Sequence, residues 1–148
     1  MHALVLLHVL ASIIGIGPTF FMLVLYRRDQ SAADLVASLK LIHALEYFPK
    51  IGGTLAVLSG LLLTFTGSYG PFTQLWLLGS LVLYITVQVV VIALLGPLTK
   101  RLSAWSASTS SSRLTTDATS WLASAHRLTW VANGLAVLLV GLMVLKPR

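Results

Sequence analysis

Four long apolar runs, residues 4–26, 47–66, 75–98 and 128–145, leave this chain few ways to fold. A helix needs about 20 predominantly apolar residues to cross a hydrocarbon core about 30 Å thick, and each run approaches or meets that length. No water is present in that core to satisfy an open amide or carbonyl, so a run of this kind must close its own hydrogen bonds as a helix. The expected architecture is all-α: an integral membrane bundle of four transmembrane helices, a single domain over residues 1–148. Composition agrees, because 57% of the residues are hydrophobic and 9% are charged, against about 25% charged in a soluble domain.

The cations fall on alternate connections. Arg27, Arg28 and Lys40 lie in the first, with Lys50 at the lip of the second run, and Lys100, Arg101, Arg113 and Arg127 lie in the third, while residues 67–73 carry no charge. The positive-inside rule then puts the first and third connections in the cytoplasm and both termini outside, N-out and C-out. Lys146 and Arg148 dissent but are outnumbered. In so apolar a chain the net charge of +6 reads as an orientation signal and headgroup contact, not as a nucleic-acid surface. The first run lacks a basic n-region and outlasts the roughly 7 to 15 apolar residues of a signal peptide, so it is expected to remain as an anchor. Cysteine is absent, which excludes disulfides, thiolate metal sites, iron–sulfur clusters, c-type haem attachment and cysteine nucleophiles. The marks of serine hydrolases, P-loop nucleotide binding and His-Glu-x-x-His zinc sites are absent as well.

Between the first two runs, Leu35, Leu39, Ile42 and Leu45 recur at helical spacing among polar residues, predicting an interfacial helix over about 31–45. Asp29 or Ser31 is placed to cap it. Pro49 lacks an amide hydrogen and crowds the Leu45 carbonyl, which predicts a bend, and Pro18 predicts a kink in the first span. Residues 99–125 read as a polar cytoplasmic loop containing the low-complexity stretch Ser106 to Ser112. Trp105 and Trp121 suit the headgroup region, and Asp117 is the expected cap of the fourth helix.

Chemistry has to come from polar residues that the bilayer tolerates at a cost. Each span carries one such stripe: His8, Ser12, Gly15 and Thr19; then Glu46, Lys50, Gly53 and Thr54; then Ser80, Tyr84 and Gln88; then His126, Trp130, Asn133 and Gly134. Glu46 and Lys50 have the order that favours an ion pair. Thr19, Lys50, Thr54, Tyr84, Gln88 and Asn133 form a polar layer in the cytoplasmic half, where cross-helix hydrogen bonding is the plain structural reading of Gln88 and Asn133. His8 is the ionisable group of the outer half, and a neutral imidazole in a helical bundle is the usual axial ligand of haem. Ser12 and Gly15 share its face, and Gly15 is expected to leave room for a flat macrocycle. His43 and His126, near the opposite side, are the further candidate ligands, although a solvated histidine at the interface is the plainer reading of each.

The stretches Leu7 to Phe21 and Pro49 to Leu63, with Trp76 and Asn133 to Gly141, resemble a family of small bacterial inner-membrane proteins of unknown function. The early histidine is also similar to that of small four-helix membrane proteins such as copper-resistance D domains, HemJ-type protoporphyrinogen oxidases and b561-type cytochromes. The first resemblance implies the bacterial inner membrane, multi-pass, and the second implies haem b or a metal at His8. Three functions follow as expectations: a b-type haem or redox membrane protein, a non-catalytic accessory subunit of a larger membrane complex, and an oligomeric small-solute transporter or channel. The expected partners are the lipid bilayer and other membrane subunits or a second copy of the chain, with no nucleic acid.

Overall fold

A computed structural model describes residues 2–66, 74–108 and 113–145. The turn at 67–73, residues 109–112 of the serine-rich run, and the tail cations Lys146 and Arg148 lie outside the described residues. The described residues form helices α1 (His2–Leu25), α2 (Ala32–Leu45), α3 (Tyr47–Thr66) and α4 (Leu75–Gln88), a π-helical segment (Val89–Leu95), then α5 (Gly96–Ser108) and α6 (Thr116–Leu145). No strand occurs among them. Among the described residues four stretches are long and apolar enough to cross a membrane: α1, α2 with α3, α4 through α5, and α6.

Local chemistry explains where each helix starts and stops. Ser31 caps α2 by accepting from the Asp34 amide at 3.1 Å, and Asp34 accepts from the Ser31 amide at 3.3 Å. This closed box satisfies orphan donors of the first turn. Bonding to the Ser31 side chain, and then to its amide, holds the Asp34 carboxyl below its ordinary range. The helix breaks for one residue at Glu46, three before Pro49, close to where the proline was expected to interrupt it. Pro18 does not interrupt α1. α6 is capped by Thr115, whose hydroxyl accepts from the Ala118 amide at 3.3 Å, and Asp117 occupies the first turn instead of capping. A carboxylate there still favours the positive end of the helix dipole.

The expected polar loop over 99–125 is largely helical. Helix α5 runs on to Ser108 and α6 begins at Thr116, because residues 95–105 and 114–128 carry apolar side chains at helical spacing beneath their charges. The stretch from Leu75 to Ser108 is 34 residues, about 50 Å at roughly 1.5 Å per residue, against a hydrocarbon core of about 30 Å. Its surplus meets α2 and the start of α6 at the basic end. There Tyr26, Leu35, Leu39, Ile42, Leu95, Leu102, Ala118, Leu122 and Ala125 form a buried apolar core. The Tyr26 hydroxyl lies 2.6 Å from Thr99 Oγ1, which donates to Leu95 O, so the buried phenol is satisfied.

Burial in this head is driven by water, at about 1.5–3 kcal/mol for each fully buried leucine. In the spans that drive is missing, because lipid tails are as apolar as leucine, and small residues and hydrogen bonds must hold the helices instead. The packing follows this division. Leu6, Ile13, Phe21, Leu58, Phe65, Leu78, Ile92 and Leu138 are all exposed outward, where lipid covers them.

The π segment precedes Pro97, which donates no backbone hydrogen bond. The Gly96 amide bonds to Val91 O, five residues back, so the chain widens by one residue just before the proline. Proline and π-bulges are recognised causes of such local departures.

Candidate functional site

Three seams of the span bundle are closed. On the first, α1 and α3 touch backbone to backbone. A Cβ on Gly15 would fall 2.7 Å from Gly53 N and 2.9 Å from Gly52 C, and a Cβ on Gly52 would fall 2.5 Å from Gly15 N. The room expected beside Gly15 is thus filled by α3, and a macrocycle finds no slot there. On the second seam, Asn133 of α6 clamps α1: its Nδ2 donates to Thr19 O at 3.2 Å and to Thr129 O at 2.9 Å, and Thr19 Oγ1 lies 3.3 Å from its Oδ1. On the third, a Cβ on Gly79 of α4 would fall 2.9 Å from Leu142 Cδ2 of α6.

The fourth side is open. Among the described residues, α3 and α4 bring no pair of Cα atoms within 8 Å. A side chain reaches across: the Tyr84 hydroxyl lies 3.5 Å from where a Cβ on Gly53 would stand. Gln88, one turn toward the basic end, donates through Nε2 to the Tyr84 oxygen. That leaves the Tyr84 O–H and the Gln88 carbonyl oxygen with capacity to bond something else. Both residues are half-buried. Lys50 lies one turn from Gly53 on α3, at the basic lip, where its Nζ pairs with Glu46 Oε2 at 2.8 Å, as the spacing predicted. Thr54 is exposed and donates to Lys50 O at 2.6 Å.

His8 faces α3. Its Nδ1 lies 2.9 Å from Ala56 O and 3.2 Å from Ser59 Oγ, and its ring covers Gly60, whose Cβ would meet Cε1 at 3.0 Å. A carbonyl can only accept, so Nδ1 carries the proton, and in the neutral ring Nε2 keeps a lone pair. Ser12 bonds back to His8 O at 2.7 Å. His43 commits both nitrogens, Nδ1 to Glu46 at 3.3 Å and Nε2 to Ser103 at 3.3 Å. His126 Nε2 accepts from Trp130 Nε1 at 3.1 Å, while its Nδ1 is buried without a partner. The structure therefore ties His8, His43 and His126 to three different neighbourhoods. No group of three or more His, Cys, Asp or Glu that could hold a metal occurs among the described residues.

The polar layer is likewise divided: Thr19 and Asn133 close one seam, Tyr84 and Gln88 line the open side, and Lys50 and Thr54 stand exposed. Gly134 has open space where a Cβ would be added, as does Gly141, so neither is used within the bundle. Sequence reasoning missed Gly52, Ser59 and Gly60, the α3 residues that receive Gly15 and His8. The signal was present as Gly-Gly at 52–53 and Ser-Gly at 59–60, seven residues on and hence on the same helix face.

No curated protein and no solved structure matches this chain. Residues 2–147 match the family described as predicted integral membrane protein, DUF2269, and the chain belongs to that family.

Proposed function

We propose that this membrane protein holds a lipid-soluble amphiphile between α3 and α4, with the ligand's hydroxyl or carbonyl head at Tyr84 and Gln88 and its apolar tail along the Gly53 face of α3. The observation that carries this reading is the unequal closure of the bundle: three seams sealed by glycine contacts or hydrogen bonds, and one side where no Cα pair of the described residues comes within 8 Å and the Tyr84 side chain reaches toward Gly53. The width supports an acyl or isoprenoid chain over a partner helix. A helix is about 10–12 Å across with its side chains, and a gap reached across by one tyrosine is narrower than that. Binding is lateral, so the ligand enters from the hydrocarbon and no aqueous pore is needed. The non-catalytic accessory reading draws its own support from the packed head at the basic end, which offers a surface beyond the bilayer. The transporter reading loses its polar path, because Asn133 is consumed by Thr19 and Thr129.

The test uses Gly53→Leu, which fills the gap where only Tyr84 stands within 4 Å and leaves the Gly15–Gly52 contact alone. Native mass spectrometry of protein released from nanodiscs should show one retained amphiphile class in the wild type, and its loss in Gly53→Leu and in Tyr84→Phe with Gln88→Leu. Identical lipid adducts in all three proteins would contradict the reading.

A further inference from the structure

We infer that the α5–α6 face at the basic end is a binding site for the phosphate of an anionic phospholipid, built from Lys100, Arg101 and Arg127 with Trp121 and Ser124. This site is separate from the opening between α3 and α4. The other cations with defined partners are spoken for: Arg27 pairs with Asp34 at 3.5 Å and Lys50 with Glu46 at 2.8 Å. Among the described residues Lys100, Arg101 and Arg127 have no carboxylate within ion-pair distance, and all three are exposed.

Arg101 and Trp121 meet across α5 and α6, Lys100 neighbours Arg101 on α5, and Arg127 follows Trp121 on α6. Thr99 and Leu102 are buried, so the intervening Lys100 and Arg101 point away from the core of the head. The Arg101 guanidinium lies 6.0 Å from the centre of the Trp121 ring on α6. Arg127 folds back along α6 so that its Nη2 lies 3.5 Å from Ser124 Oγ, one turn from Trp121 in sequence. Stacking on an aromatic ring limits the freedom of a guanidinium and leaves its donors free at the edge. A phosphodiester matches that edge, since guanidinium donors meet phosphate oxygens in pairs. Asp117 is the acid nearest in sequence to Trp121, one turn further from the spans.

Depth selects a lipid as the source of the phosphate. At roughly 1.5 Å per residue, Arg101 stands about 39 Å from Leu75 along its helix and Trp121 about 36 Å from Leu145 along α6. The hydrocarbon ends near 30 Å and headgroups occupy the next several ångströms, so Arg101 and Trp121 stand at headgroup depth, while Arg127, at roughly 1.5 Å per residue about 27 Å from Leu145, lies at the hydrocarbon edge with its Nη2 turned back toward Ser124. The exposed Ile92 and Leu94, below it on the same continuous helix, offer an apolar path for the acyl chains.

The experiment compares retention of phosphatidylglycerol and phosphatidylcholine by the full chain, using native mass spectrometry from nanodiscs holding equal amounts of the two. The wild type should keep the anionic lipid in preference by about tenfold or more, as expected where two or three cations act near a headgroup. Arg101→Gln with Arg127→Gln should abolish the preference while helical content by circular dichroism stays the same. Lys40→Gln, on the exposed face of α2, should leave it intact. Equal retention by the wild type, or an undiminished preference in the double variant, overturns the inference. Loss of the bound lipid to millimolar inorganic phosphate alone would also overturn it, by making free phosphate the occupant.

Discussion

His8 is an ionisable side chain within a lipid-facing span, and its partners explain how it is tolerated. Donation from Nδ1 to Ala56 O and Ser59 Oγ fixes the ring against Gly60 and fixes its tautomer. Nitrogen-15 NMR of histidine-labelled protein should show His8 carrying a proton at Nδ1; a ring bare at Nδ1 would contradict the hydrogen bond to Ala56. Gly52 is used for proximity. Gly52→Ala sets a methyl into the α1 backbone and should destabilise the bundle by about 1–3 kcal/mol, read by unfolding in a denaturing detergent. Gly17→Ala, where a Cβ meets nothing within 4 Å, should cost none of this. Asn133 makes its contribution through hydrogen bonds alone: Asn133→Leu should cost about 0.6–1.7 kcal/mol, the range of single polar contacts between membrane helices.

Helices that reach beyond the membrane exchange one source of stability for another. Leu102 is fully buried among α2, α5 and α6, so Leu102→Ala should cost about 2–5 kcal/mol. Leu138, 61% exposed on the lipid face of α6, should tolerate the same change within about 0.5 kcal/mol. Equal losses at the two positions, measured by thermal unfolding in one detergent, would remove the distinction between head and spans. The same division decides what was legible in advance. The spans and the short α2 could be read because uninterrupted apolarity and a Ser31–Asp34 box are local signals. The helical course of residues 99–108 and 116–125 could not, because charge and serine density hide an apolar stripe whose partner, α2, is distant in sequence. The π segment was illegible for a related reason: Pro97 announces a disturbance, but whether the chain kinks or widens depends on what packs beside it.

At the scale of the whole molecule, the Glu46–Lys50 pair and the role of Asn133 as a cross-helix bond were visible from spacing, whereas the seam between Gly15 and Gly52 was not. Spacing places residues on a face but does not say which neighbour that face meets. Gly15 was equally consistent with an open slot and with a buried crossing, and only the position of α3 decides. The resulting bundle is closed on three sides, and on the fourth α3 and α4 bring no pair of Cα atoms within 8 Å among the described residues; the proposed binding of a membrane-soluble molecule rests on this asymmetry. The absence of native cysteine makes that asymmetry directly measurable. A disulfide requires Cα atoms within about 7 Å, so cysteine pairs placed one at a time along α3 and α4, oxidised in native membranes, report which helices touch. Efficient crosslinking is expected for Gly79→Cys with Leu142→Cys across α4 and α6, and none for Val57→Cys with Leu81→Cys or neighbouring pairs across α3 and α4; ready disulfide formation across α3 and α4 would contradict the open side.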